Sequence, residues 1–154
     1  MKLYHLSSGL LNVNSYFLVN EKTKNAILID GGESYKAIKK AQQDLGINVT
    51  ALLLTHAHFD HAGNAKALQD DGVKVYVSQI DALKLKNHLN LASDFGRKFD
   101  YLDADYTFND GDILEIEDIK IKVIANDARD GASFRKTNNS AGTTHYTTPY
   151  TPAE

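Results

Sequence analysis

Residues 55–61 read Thr-His-Ala-His-Phe-Asp-His, which puts three of the six histidines and one aspartate of the chain within positions 56–61. Imidazole nitrogen and carboxylate oxygen are ligands that suit zinc, iron and manganese alike. A lone histidine is ordinarily a packed or solvated residue, and His5 and His88 read that way. Four donor groups as close as His56, His58, Asp60 and His61 are hard to explain by packing. In extended chain, residues two apart point the same way. His56 and His58 therefore aim at one point as a strand ends. Asp60 and His61 come a turn later, where the chain enters a helix, and aim at a neighbouring point. This layout suits two metal sites side by side better than one closed tetrahedron. Two metals about 3.5–4 Å apart can share a water and make it hydroxide near neutral pH, which is chemistry for hydrolysis. The HExxH pattern of helical zinc proteases is absent.

The flanking sequence supplies the elements that must position this cluster. Residues 2–6 read as an edge strand. Residues 15–19 and 26–29 are β-rich runs around a polar turn, a hairpin signal, and Asp30-Gly31-Gly32 ends the second run sharply. Residues 34–45 carry Tyr35, Ile38, Ala41 and Leu45 at helical spacing, with Gly46 as the stop. Residues 49–54 form a buried-type strand that delivers the chain to His56. A helix is expected over 62–70, a strand over 73–77, and a second helix over 79–91 with Ile80, Leu83, Leu85 and Leu89 on its buried side. Residues 113–116 and 119–124 read as another hairpin. Strands alternating with helices argue an α/β layered domain.

The order of these motifs resembles the metallo-β-lactamase-fold hydrolases. THAHFDHAGN is similar to their His-x-His-x-Asp-His signature. Asn14-Ser15-Tyr16, AILIDGG and NDGDILEIEDIKIKVI follow the same N-terminal and mid-chain order, over about residues 3–124. Within the superfamily the chain is most similar to the small glyoxalase II-like thioesterase branch. The resemblance implies an α/β fold, the N-terminal part of a four-layer αβ/βα sandwich whose second half is missing or incomplete, with a two-metal site between its sheets. It implies His56 and His58 as ligands of a first metal, Asp60 and His61 as ligands of a second, and Asp30 as a residue supporting them. Read without the resemblance, Asp30 is a turn aspartate before two glycines.

The resemblance stops after residue 124. The family continues with Thr-Pro-Gly-His-Thr, whereas this chain reads Ala125-Asn126-Asp127-Ala128-Arg129-Asp130-Gly131. Arg129 stands about where a ligand histidine is expected, and a cation cannot replace a neutral imidazole on a metal. His145, Asp127, Asp130 or another chain would have to complete the site. Residues 126–154 contain one phenylalanine, two tyrosines and no Val, Ile, Leu or Met. Two regions are therefore expected: 1–124, a metallo-β-lactamase-like αβ region, and 125–154, a polar tail unable to bury a strand or helix face. The chain reads either as a shortened or altered hydrolase or as a half-domain that associates. An exposed apolar sheet face would favour a homodimer in either case.

Composition narrows the function. The chain has 154 residues, 42% apolar and 24% charged, with a net charge of −3. That length suits one soluble domain. The charge gives no reason to expect nucleic acid or an anionic membrane. With no cysteine, thiolate metal sites and disulfides are excluded, and a cytoplasmic location is the expectation. The expected function is hydrolysis of a small-molecule thioester, as by a hydroxyacylglutathione hydrolase, by water activated on one or two zinc ions, or on iron or manganese. Asp60 would hold or accept the proton of that water, and the incomplete ligand set would impair activity. The alternative is a non-catalytic metal-binding or dimerising half-domain.

Overall fold

The computed structural model describes residues 1–8, 13–31, 35–57, 59–87, 92–95, 99–125, 132–137 and 147–150. In chain order the elements are β1 (Lys2–Ser8), β2 (Val13–Val19), β3 (Asn25–Ile29), α1 (Tyr35–Leu45), β4 (Asn48–Leu53), α2 (Phe59–Ala62), α3 (Ala65–Asp70), β5 (Lys74–Ser78), β6 (Tyr106–Phe108), β7 (Ile113–Ile116), β8 (Ile119–Ala125), β9 (Ala132–Thr137) and β10 (Thr147–Tyr150). Two 3-10 segments, Ala82–Lys86 and Ser93–Phe95, lie between β5 and β6. A seven-stranded sheet runs in the order β10-β1-β2-β3-β4-β5-β6, and a three-stranded sheet in the order β7-β8-β9. Strands β1 to β3 pair antiparallel, as expected of the first hairpin, while β3 to β6 are parallel.

Alternation of side chains along each strand divides the core in two. Phe17, Leu28, Leu52, Val75 and Val77 face the helices, packing with Ile38 and Ala41 of α1, Ala62 of α2, and Ala65 and Leu68 of α3. Leu18, Ile27, Ala51 and Leu53 face the other way, onto Ile116, Ile119 and Ile121 of the small sheet. The central strands of the large sheet are thus buried on both faces, which is why they read as unbroken apolar runs. The architecture is helices, large sheet, small sheet. It corresponds to the αβ/β part of the expected sandwich.

Among the described residues, the outer face of the small sheet mixes charged and apolar side chains. Glu115, Lys120 and Lys122 are exposed there beside Ile113, and Ile124 is half-buried. Three of these five positions are charged and two are isoleucine.

The small sheet is fastened to the large one at its first turn. Glu117 and Asp118 have φ of 54° and 61°, the left-handed pair of a two-residue hairpin turn. The Glu117 carboxylate accepts the Thr50 hydroxyl at 2.9 Å and the Asn25 amide at 3.1 Å, and its carbonyl accepts the Asn20 amide at 2.9 Å. A register shift between β3 and β4 pairs Ala26 with Val49 and Ile27 with Ala51. Thr50 is the extra residue of this bulge, and its side chain turns toward the small sheet. Glu117→Ala removes the acceptor of two part-buried donors. It is expected to cost about 1–3 kcal/mol of stability in urea unfolding, with Glu117→Gln losing less.

Two expectations fail for identifiable reasons. The helix expected over 79–91 is only a 3-10 segment, Ala82–Lys86, and residues 88–91, including Leu89, lie outside the described residues. Asp81 is fully buried, its carboxylate 2.9 Å from the Lys84 ammonium, and Lys84 N–H closes a three-residue turn on the Asp81 carbonyl. Three residues per turn bring Ala82 and Leu85 to the core and leave Ile80 and Leu83 72% and 67% exposed. The helix expected over 62–70 is split into α2 and α3, because the His61 carbonyl accepts the Gly31 N–H at 2.8 Å. The segment expected to be a polar tail carries the strands β9 and β10. β9 pairs with β8 along its whole length, and β10 adds a parallel strand beside β1. Backbone hydrogen bonds carry both, so neither needs an apolar sequence, although Phe134 of β9 packs edge-on against Phe108 at 5.5 Å.

Candidate metal centre

Strands β3 and β4 run parallel and end side by side, and ligand sites of α/β sheets form at such carboxyl ends. Asp30 follows β3. Its N–H still donates to the Leu53 carbonyl at 2.9 Å, but its φ of 59° turns the chain out of the sheet. Aspartate is among the residues that tolerate this left-handed conformation. The turn swings the carboxylate across the end of β4. One oxygen, Oδ1, accepts the Thr55 N–H at 2.8 Å. The other, Oδ2, accepts the Thr55 hydroxyl at 2.8 Å and lies 2.9 Å from His61 Nδ1. Asp30 is buried, at 4% exposure. Three donors satisfy a carboxylate that burial would otherwise penalise.

His56 follows directly, with its Nδ1 3.0 Å from the Thr55 hydroxyl oxygen. The His56 and His61 rings are 3.8 Å apart between centroids, tilted by 50°. The backbone holds them there from both sides. Gly31 N–H bonds the His61 carbonyl, and the buried Asn64 amide donates to the Gly31 carbonyl at 3.1 Å. Thus the loop after β3 and the helix pair α2–α3 are tied at the point where α2 presents His61.

The structure brings His56, His61 and Asp30 together. Asp60 lies in α2, at the helix start expected for it, but its side chain is outside the described residues, as is all of His58. Asp127, Arg129, Asp130 and His145 are outside them too. Among the described residues no group of three or more His, Cys, Asp or Glu side chains is gathered to hold a metal. The two imidazoles that are described fit a cation in the chemistry of their donor atoms. A carboxylate bonded to the far nitrogen of a histidine is the usual support of a metal ligand.

Asp30 acts as both a turn residue and a buried acceptor, so its two sequence readings are compatible. Thr55 and Asn64 had no role assigned from sequence. Thr55 stands at the head of the histidine motif, which was the available signal. Nothing in the local sequence marks Asn64, because its partner Gly31 is 33 positions away.

The metallo-β-lactamase superfamily profile matches residues 8–136. The chain is 34% identical over 112 residues to the hydroxyacylglutathione hydrolase GloC of Haemophilus influenzae, covering 70% of this chain and 52% of that protein. It is 32% identical over 106 residues to a probable metallo-hydrolase of Streptococcus pyogenes, covering 68% and 45%. The chain thus spans about half the length of these curated relatives. Among solved structures, the BLEG-1 B3 metallo-β-lactamase superposes with a TM-score of 0.79 at 26% identity, over 87% of this chain and 66% of that one. TTHA1623, solved in a di-iron-bound form, shares the fold with a TM-score of 0.69 at 22% identity, over 86% and 66%. The family match takes in β9 as well as the histidine motif, so on sequence and fold together this chain belongs to the metallo-β-lactamase superfamily.

Proposed function

We propose that the chain carries the metal-binding half of a hydrolase that cleaves small-molecule thioesters. The observation that carries this reading is the pair of imidazoles, His56 and His61, with ring centroids 3.8 Å apart and His61 bonded to the buried Asp30 carboxylate. His56 and His58 would hold a first metal, and Asp60 and His61 a second. Zinc, iron or manganese bound there supplies Lewis-acid polarisation of a carbonyl and hydroxide near neutral pH. The chain's own part is to fix the imidazoles, through Asp30, and to hold or accept a proton at the Asp60 carboxylate. The thioester class is favoured by the likeness to a hydroxyacylglutathione hydrolase.

A second reading, a non-catalytic metal-binding or dimerising half-domain, is favoured by Arg129 at the place of a family histidine. Metal analysis of the purified protein, run with a glutathione-thioester hydrolysis assay and light scattering, separates the two. The hydrolase reading expects about two equivalents of metal and turnover that a chelator abolishes. One equivalent or none, with no turnover, supports the second reading, and a dimer in that preparation identifies the associating form.

A further inference from the structure

The Thr55 hydroxyl carries one proton and has two close neighbours, Asp30 Oδ2 at 2.8 Å and His56 Nδ1 at 3.0 Å. A carboxylate only accepts, so that proton goes to Asp30. The hydroxyl then meets His56 with a lone pair, and the proton between them must come from His56 Nδ1. His61 Nδ1 lies 2.9 Å from the same Asp30 oxygen and donates in the same way. A neutral imidazole has a single N–H, and the bond made by one nitrogen decides the state of the other. In both rings Nε2 is left with the lone pair, the form a metal ligand requires.

We propose that Thr55 is a positioning residue through which one buried carboxylate sets the tautomer of both histidines, His61 directly and His56 by way of the hydroxyl. Two features hold the hydroxyl in place. The Thr55 N–H is bonded to Asp30 Oδ1 at 2.8 Å, so backbone and side chain grip the two oxygens of one carboxylate. The branched Cβ also restricts the side-chain torsion. Valine has the same shape and no hydroxyl. Serine keeps the hydroxyl and loses the branch. The use of the Nε2 lone pairs rests on the metal-centre reading above, whereas the tautomers are a property of the metal-free protein.

Two experiments test the proposal. Long-range nitrogen–proton NMR correlations of the metal-free protein, at about pH 8 where ordinary imidazoles are neutral, report the tautomer of each ring. Nδ1–H is expected for His56 and His61 in the wild type and in Thr55→Ser. In Thr55→Val, His56 is expected to shift to Nε2–H while His61 stays unchanged. Titration with zinc alone is expected to show affinity reduced about 10–100-fold in Thr55→Val and recovered in Thr55→Ser. An Nε2–H His56 in the wild type overturns the proposal. So does a Thr55→Val protein that keeps Nδ1–H, or a Thr55→Ser protein that loses as much affinity as Thr55→Val. If Thr55→Val does not fold, Thr55→Ala takes its place under the same criteria. A wild type that binds no zinc refutes the metal-centre reading, and the tautomer spectra still decide the role of Thr55.

Discussion

Asp30→Asn is expected to destabilise the metal-free protein by about 1–3 kcal/mol. The carboxylate is buried and faces three donors: the Thr55 amide, the Thr55 hydroxyl and His61 Nδ1. An asparagine of the same shape has one accepting oxygen and one donating NH2. Placed at the Oδ2 position, the NH2 keeps its neighbours only if the Thr55 hydroxyl turns to accept and His61 changes to the Nε2–H tautomer. Flipped, it meets the Thr55 amide N–H, which then loses its acceptor. Either way the stronger charged bonds are lost, at about 1–3 kcal/mol in all. Backbone strain does not confuse the result, because asparagine tolerates the 59° φ at this position at least as well as aspartate. Chemical denaturation in the presence of a chelator measures the change. A loss below about 0.5 kcal/mol would show that the carboxylate does not hold this end of the sheet. The same variant should weaken metal binding by about 10–100-fold through the loss of His61 orientation.

Ile121→Ala is expected to cost about 2–5 kcal/mol, and to do so unevenly across the molecule. Ile121 is 1% exposed at the centre of β8, where it packs with Leu18, Ile27, Ala51 and Leu53 of the large sheet. Among the described residues, the three-stranded sheet is also fastened by Ile116 and Ile119 of this cluster with Leu114 and Phe134 against it, by Val123 with Phe108, and by Glu117, which bonds Thr50, Asn25 and Asn20. The helix-facing cluster, which is larger and includes Phe17, Leu28 and Leu52, does not contain Ile121. Native-state hydrogen exchange should therefore show amides of β7–β9 losing protection while those of β3 and β4 keep most of theirs. Equal loss in both sheets would mean that the two layers unfold as one unit. The distinction bears on function. The histidine pair stands on the helix-backed layer, whereas the chain leaving β8 is where the family places its next ligand.

Much of the frame is legible in the sequence because local rules set it. The hairpin β2–β3, helix α1 with its stop at Gly46, and the strand delivering His56 all follow from apolar periodicity and turn residues. The tertiary contacts agree with them. The segment after β5 misleads because Ile80, Leu83 and Leu85 imitate a helical face, while the buried Asp81–Lys84 pair imposes a tighter turn. The split between α2 and α3 has a similar cause, since a carbonyl that would belong to a continuous helix is engaged by Gly31 thirty residues earlier. β9 and β10 were hidden because composition reports what a strand can bury and says little about where its backbone can pair.

The sequence by itself determines the kind of chemistry. His56, His58, Asp60 and His61 fall in one short stretch, so their identity and spacing carry the expectation of a metal centre before any folding is considered. Only the tertiary structure decides how His56 and His61 are held. Asp30 lies 25 residues before Thr55 and 31 before His61, and reaches them only because β3 and β4 are parallel neighbours that end together. There a left-handed turn aims the carboxylate at Thr55 and His61. Ligand type is a property of the residue, whereas ligand orientation is a property of the partners that a fold brings within 3 Å.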